Sequence, residues 1–120
     1  MTDLDIKVKA ILEWLAERKA DAISLYDVRA LNIYTDYIII CEGQADLHVR
    51  AIANNLLDNA KLHKQTVLSK EGIEYGRWAL VDMGDIVVHI FLPEIRKFYK
   101  LDELIASYLQ KTEKAEHAHD

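Results

Sequence analysis

The sequence predicts a single α/β domain, an α+β arrangement in which helices pack on a mixed, mostly five-stranded sheet. The chain has 120 residues, the length of one ordinary domain. Its composition, 51% hydrophobic and 29% charged, is typical of a protein with a packed core. Segments with helical and strand periodicity follow one another in the order α-β-β-α-β-β-β-α. This order indicates a sheet with helices on its faces.

The first half of the chain predicts a helix followed by two strands. Apolar residues near the N-terminus recur every three or four positions, which predicts a helix at about residues 3–19 with Thr2 or Asp3 as N-cap. Residues 22–28 alternate with the two-residue period of a half-buried strand. Residues 37–41 form a continuous apolar, β-branched run, which is typical of an interior strand. The residues between these two strands are expected to form a connection.

The middle of the chain predicts a second helix and then three strands. The apolar stripe of the helix runs from Leu47 to Ala60, and the helix is predicted to end near His63; residues 67–68 suggest a short edge strand. Residues 77–82 and 85–91 have the composition of two strands, and the short segment between them contains Gly84. We therefore expect a hairpin in which Gly84 adopts a positive φ.

The C-terminal part predicts a short helical turn opened by Pro93 and a last helix whose apolar face includes Leu101 and Tyr108. Residues 110–120 are polar with mixed charge, so we expect a flexible tail there. The sequence thus divides into a folded domain, residues 1–109, and this tail.

Charge and cysteine content exclude several classes of function. The net charge of −5 argues against direct binding of DNA or RNA mainly through phosphates, which needs clustered basic residues, and is better matched to a basic protein partner. Cys41 is the only cysteine, so neither an internal disulfide nor a thiolate metal cluster can form, and no metal or cofactor is expected. The acidic start and the absence of a long apolar run predict a cytoplasmic protein with no membrane contact.

Asp82 and Asp85 are the most enzyme-like pair in the sequence. Two carboxylates near a strand end could hold Mg²⁺ for phosphoryl transfer, as in a nucleotidyltransferase. Aspartates that flank a glycine turn, however, commonly accept backbone N–H bonds there. Their spacing of three across a turn is unlike a metal pair on one strand face, and we favour the structural interpretation.

Other candidate groups also favour structural interpretations. His89 lies in an apolar strand with no nucleophile beside it in sequence, and Cys41 has the surroundings of a buried thiol. His117 and His119 form a His-x-His pattern in the predicted tail, where weak metal capture and simple solvation are the alternatives. At the start of the second helix, Asp46 is predicted to act as a cap, because no phosphate-binding fingerprint is present.

Trp78 is the strongest candidate for a binding residue. It shares a strand face with Leu80 and Asp82, while small apolar residues occupy the other face, which suits cover by a helix. An exposed tryptophan with an apolar neighbour and an acidic rim resembles a binding hot spot, whereas a core tryptophan is the alternative.

Several segments, in order along the chain, resemble the ribosomal silencing factor, or Iojap-like, family. Residues 35–40 read Thr-Asp-Tyr-Ile-Ile-Ile, and the helix opening at residues 48–53 reads His-Val-Arg-Ala-Ile-Ala. The most specific block is residues 76–91, Gly-Arg-Trp-Ala-Leu-Val-Asp-Met-Gly-Asp-Ile-Val-Val-His-Ile-Phe, followed by Phe98-Tyr99-x-Leu101-Asp102. The resemblance extends from about residue 4 to residue 105. It departs at Leu104-Ile105, where family members often have Leu-Trp.

The resemblance implies a translation repressor without enzymatic activity. It implies binding to the large ribosomal subunit through a basic ribosomal protein, L-fourteen (uL-fourteen), which blocks association with the small subunit when nutrients are limiting. It also implies a nucleotidyltransferase-like topology without the catalytic residues of that class. The partner-binding residues expected are Trp78, Leu80, Asp82, His89 and Tyr99. A homodimer that buries the Trp78 face is a further possibility that the sequence leaves open.

Overall fold

The computed structural model describes residues 1–118, with side chains described to residue 114. Within this range, four α-helices, one short 3₁₀ helix (Arg29–Leu31) and five strands follow one another in the order that the sequence predicts. The helices are α1 (Asp3–Glu17), α2 (Asp46–Leu62), α3 (Pro93–Tyr99) and α4 (Leu101–Ala118). The strands are β1 (Asp21–Asp27), β2 (Tyr37–Glu42), β3 (Ser69–Glu71), β4 (Trp78–Asp82) and β5 (Ile86–Phe91). The predicted α/β fold class is confirmed.

The strands form one mixed sheet in the order β1-β2-β5-β4-β3. The central pair, β2 and β5, is parallel, with Ile39 beside Val88, and the other three pairings are antiparallel. The predicted hairpin joins β4 to β5, and Gly84 has a φ of +86°. Two parallel strands need a crossover connection, and here the connection from β2 to β5 contains α2, β3 and β4.

Each face of the sheet is covered by a different pair of helices. Helices α1 and α2 pack on the first face, where residues such as Ile11, Ile52 and Val88 are fully buried. The second face carries a smaller core around Ile40, Phe91 and Ile105, against which α3 and α4 pack. Because both faces are covered over the central strands, every residue of β5 is buried.

The two long N-terminal helices begin with different caps. The Thr2 hydroxyl accepts the Asp5 N–H at 3.1 Å and the Asp5 carboxylate accepts the Thr2 N–H at 3.0 Å, a complete capping box that starts α1. Helix α2 corrects the prediction for Asp46, because its N-cap is Ala45 and Asp46 is the first helical residue. The His48 ring instead accepts a backbone N–H just ahead of the helix.

Strand β1 contains an irregularity near its start. Ala22 has a φ of +48°, in the left-handed region that non-glycine residues rarely adopt. The pairing with β2 shifts register between Asp21 and Ser24, which is the pattern of a β-bulge. The Ala22 carbonyl at this bulge accepts a hydrogen bond from the Arg96 side chain of α3 at 2.7 Å.

Two boundaries differ from the sequence prediction. The edge strand β3 begins at Ser69, one residue after the apolar pair that suggested it, and all of its residues are exposed. Helix α4 continues to Ala118, well beyond the apolar face from Leu101 to Tyr108 on which it was predicted, and the flexibility of the segment 110–120 stays a prediction. The His117 and His119 side chains lie outside the described residues.

Candidate functional site

The cover on the second face of the sheet decreases from β5 to β3. The β5 side chains on this face are buried, whereas Trp78, Leu80 and Asp82 of β4 are only half-buried. Ala79 and Val81 point to the opposite, helix-covered face and are fully buried. The sequence prediction of a less covered β4 face is therefore confirmed, and Trp78 is neither a free surface residue nor a core residue.

Trp78 lies in a cluster of aromatic rings drawn from two strands and α3. Its ring stacks on Phe91 with centroids 4.7 Å apart and contacts the Tyr99 ring at 4.8 Å. The indole Nε1–H donates to His89 Nδ1 at 3.0 Å. Phe98 extends the cluster through an edge-on contact with Tyr99 at 5.1 Å. Packing on several sides fixes the tryptophan while leaving part of its ring accessible.

Two of these aromatic residues are exposed on the adjoining helix. Phe98 is 76% exposed and Tyr99 is 54% exposed, both at the C-terminal end of α3. We call Trp78, Leu80, Asp82, Phe98 and Tyr99 together the aromatic surface. Large apolar side chains that remain open to water in one contiguous region are typical of a binding site.

His89 lies beneath this surface and not on it. The residue is 8% exposed, and burial lowers the pKa of its imidazole to about 4, against an opposing contribution from the Asp102 carboxylate. The ring is therefore neutral at physiological pH, and Nδ1 acts as an acceptor. Of the five residues predicted to contact a partner, His89 has the least surface to offer one.

The carboxylates of Asp82 and Asp85 are held separately, in structural roles. Asp82 Oδ1 accepts the Gly84 N–H at 2.8 Å, which stabilises the hairpin turn. Asp85 Oδ1 pairs with Lys7 Nζ of α1 at 2.6 Å, on the first face of the sheet, while Asp82 lies on the second. Among the described residues no group of three or more His, Cys, Asp or Glu side chains could hold a metal ion.

A polar network that the sequence did not predict joins α3 and α4 to the sheet. All five N–H groups of Arg96 are used: they donate to both carboxylate oxygens of Asp102 (3.0 and 2.9 Å), to Glu42 (3.0 Å), to Ser24 (3.1 Å) and to the Ala22 carbonyl (2.7 Å). Tyr26 also donates to Asp102, at 2.6 Å. The hydrogen bond from Arg96 lowers the pKa of Asp102. Since Arg96 belongs to the same helix as Tyr99, the network fixes the position of the aromatic surface.

The remaining candidates are structural. Cys41 is fully buried, and burial raises the pKa of its thiol to about 12, so it is neither a nucleophile nor a ligand at neutral pH. The His48 ring accepts the Gln44 N–H at 2.9 Å and contacts the Arg18 carbonyl at 2.7 Å, which joins α2 to the end of α1. Within the described residues, no helix is long and apolar enough to cross a membrane.

Fold and site together define a small α+β domain with an accessible aromatic surface, in which the carboxylates of Asp82 and Asp85 are held in a turn and in an ion pair. The chain belongs to the ribosomal silencing factor family: residues 2–120 match the family model described as "Ribosomal silencing factor during starvation". The resemblance found in the sequence is therefore confirmed. Membership places the chain among factors of translational regulation, and not among enzymes.

Relatives in several organisms are similar over most of the chain. The ribosomal silencing factor of Bacillus subtilis is 38% identical over 88 residues, which cover 73% of this chain and 75% of the relative. The Haemophilus influenzae factor is 34% identical over 99 residues, covering 82% of this chain and 97% of the relative. The chloroplastic protein Iojap of Zea mays is 36% identical over 88 residues, which cover 73% of this chain and 38% of that longer protein.

Solved structures share the fold. A crystal structure of a Chromobacterium violaceum protein matches with a TM-score of 0.82 and 32% identity, over 88% of each chain. A Bacillus halodurans protein matches with a TM-score of 0.77 and 29% identity, over 83% of this chain and 93% of that one.

Proposed function

We propose that this chain binds the large ribosomal subunit through ribosomal protein L-fourteen and sterically blocks association with the small subunit. Occupancy of that face lowers translation when nutrients are limiting, and the factor acts in the cytoplasm. Membership of the silencing factor family supports a ribosomal partner. The aromatic surface supplies the docking site that such a blocker needs.

The half-buried Trp78 is the observation that carries the proposal. Its ring is supported by Phe91 at 4.7 Å and Tyr99 at 4.8 Å, so little side-chain entropy remains to be lost on binding. Interface hot spots are enriched in tryptophan and tyrosine, held rigidly and desolvated at the centre of the contact. Trp78 is placed to be that centre, with Leu80 and Tyr99 beside it.

Charge supports a basic partner. The chain carries a net charge of −5, and Asp82 places a carboxylate on the aromatic surface. Acidic groups at the edge of an interface mainly set orientation and association rate, while the buried aromatic anchor sets the dissociation rate. Raised salt should therefore slow association more than it accelerates dissociation.

The test is co-sedimentation with purified large ribosomal subunits. Truncating a central anchor costs roughly 2–4 kcal/mol, so Trp78→Ala should weaken binding by roughly thirty- to thousandfold. Tyr75→Ala is the matched control, because Tyr75 is an aromatic residue outside this surface and is 77% exposed. Both variants must melt cooperatively. Undiminished co-sedimentation of Trp78→Ala would overturn the proposed docking site.

Binding to isolated L-fourteen tests the finer part of the proposal. The expected outcome is that the isolated protein competes with whole subunits for the factor. Subunits bound normally but without competition would place the contact elsewhere on the ribosome.

A homodimer that buries the same face is the competing arrangement. Sedimentation velocity at several concentrations measures it directly, in the wild-type chain and in Trp78→Ala. A dimer that Trp78→Ala dissociates would mean that the ribosome and a second copy compete for the aromatic surface.

A further inference from the structure

The Trp78 indole has one hydrogen-bond donor, and the protein itself uses it. Nε1–H points to Nδ1 of His89 at 3.0 Å, and an indole N–H can serve only one strong acceptor at a time. We infer that His89 is a positioning residue that locks the Trp78 ring, so that Trp78 meets its partner through its ring face and apolar edge and not through its N–H. This inference rests on the proposed function, since it describes how the same surface is used.

The strand register places the two residues for this contact. Trp78 pairs with Phe91 across the β4–β5 hairpin, and Leu80 pairs with His89. His89 is therefore the diagonal neighbour of Trp78 on the same face of the sheet, within reach of a long aromatic side chain. The two ring centroids lie 5.9 Å apart, with an angle of 43° between the ring planes.

The surroundings of His89 keep its Nδ1 available as an acceptor. The ring is 8% exposed and stacks on Phe91 at 6.0 Å, so burial favours the neutral form. The Asp102 carboxylate of α4 is the acidic group that acts on the ring. That carboxylate is already bound by Arg96 and Tyr26. With Nδ1 accepting, the proton of the neutral ring lies on Nε2.

The hydrogen bond between Trp78 and His89, which we call the lock, determines which chemical groups of a partner fit on Trp78. A tryptophan whose N–H is satisfied offers no donor, and a partner carbonyl or carboxylate facing that edge would remain unpaired. The group that fits on Trp78 is an aliphatic side chain or the flat face of an arginine, and either is consistent with a basic protein partner.

Nuclear magnetic resonance on the ¹⁵N-labelled wild-type chain tests the lock without a partner. A nitrogen–nitrogen coupling across the hydrogen bond between Trp78 Nε1 and His89 Nδ1, together with an Nε2–H tautomer, is the expected result. An Nδ1–H tautomer would overturn the inference, as would an indole proton that exchanges with water as fast as a free one. This readout is independent of whether the chain binds ribosomes.

Two substitutions of His89 test the effect on binding to purified large subunits. His89→Phe keeps a ring but removes the acceptor, while His89→Asn keeps an oxygen near the Nδ1 position. Because ordering one side chain on binding has a modest cost, we expect His89→Phe to weaken binding by roughly three- to tenfold and His89→Asn to restore it to within roughly twofold of wild type. Equal affinities for wild type and a cooperatively melting His89→Phe would overturn the positioning role.

Replacing Trp78 by benzothienylalanine removes the indole N–H and, with it, the hydrogen bond to His89. If the partner never contacts that group, affinity for large subunits should fall by the same roughly three- to tenfold as in His89→Phe. A much larger loss would show that the partner accepts from the indole. If the wild-type chain fails to bind subunits while the coupling is present, the proposed function fails and the lock stands.

Discussion

The guanidinium of Arg96 binds both carboxylate oxygens of Asp102, with Nε–Oδ1 at 3.0 Å and Nη2–Oδ2 at 2.9 Å. The two residues lie on consecutive helices, α3 and α4, whose junction is Lys100 in the left-handed conformation. A bidentate pair fixes the angle between two elements more firmly than a single contact does. The pair therefore defines how α3 presents Phe98 and Tyr99 beside Trp78.

Arg96→Lys should destabilise the fold. A lysine keeps the charge but cannot reproduce a planar fork that serves several acceptors, so we expect a loss of about 2–3 kcal/mol in the free energy of unfolding. Urea denaturation measures the change. The matched control is Arg29→Lys, because Arg29 pairs with Asp27 on the exposed surface and should not shift the midpoint measurably. Equal behaviour of the two variants would contradict a structural role for the network.

Stability should fall between neutral and mildly acidic pH because of His89. The folded chain lowers the pKa of this residue to about 4 from 6.5, so the unfolded state binds the extra proton as the pH falls through this window. The contribution of neutral His89 to the free energy of unfolding is fully present above the ordinary histidine pKa. About 2 kcal/mol of it should be lost between about pH 7.5 and about pH 5. Unfolding by urea at several pH values measures it. The slope should flatten in His89→Asn, and an unchanged slope would assign the effect to other groups.

Gly76→Ala should cost more stability than Gly84→Ala. Both glycines have positive φ, so each alanine incurs about 1–2 kcal/mol of backbone strain. A β-carbon at Gly76 would also collide with the Asp46 carbonyl oxygen, whereas one at Gly84 would meet only Leu68 Cδ1 at 3.5 Å. We expect about 3 kcal/mol or more for Gly76→Ala, measured by chemical denaturation. The reverse order would mean that the loop before β4 moves away from α2 at little cost.

Cys41 should resist modification in the native state. Its side chain is fully buried and burial raises the thiol pKa to about 12, so almost no thiolate is available near neutral pH. A disulfide reagent should react slowly with the native chain and at the rate of a free thiol in denaturant. Rapid native labelling would reveal opening of the sheet near β2.

The order of elements could be predicted because it depends on local patterns. The interior strand at residues 37–41, the hairpin turn at Gly84 and the poorly covered face of Trp78 each follow from periodicity or from a single residue type. The edge strand was predicted at residues 67–68 because these residues are apolar. The observed strand β3 lies just after them and forms from exposed residues that hydrogen-bond to β4.

The candidate site could be predicted only in part. Trp78 was proposed from the alternation of its strand and Tyr99 with the resemblance, but the burial of His89 depends on helices packed on its face. The Arg96 network is invisible to local patterns, because its partners Ala22, Ser24 and Glu42 are more than fifty residues away. A long polar side chain in a short helix has no sequence feature that distinguishes a surface residue from a structural one.

The bulge at Ala22 bears on how the molecule avoids unwanted association. Strand β1 is an outer strand of the sheet, and the open edge of such a strand can recruit a strand from another molecule. Here the pairing of β1 is irregular near Ala22, and the Ala22 carbonyl is bonded to the guanidinium of Arg96. The same Arg96 side chain therefore bonds to α4 and to this irregular part of β1, and an irregular, internally bonded edge is one of the devices by which proteins discourage edge-to-edge aggregation.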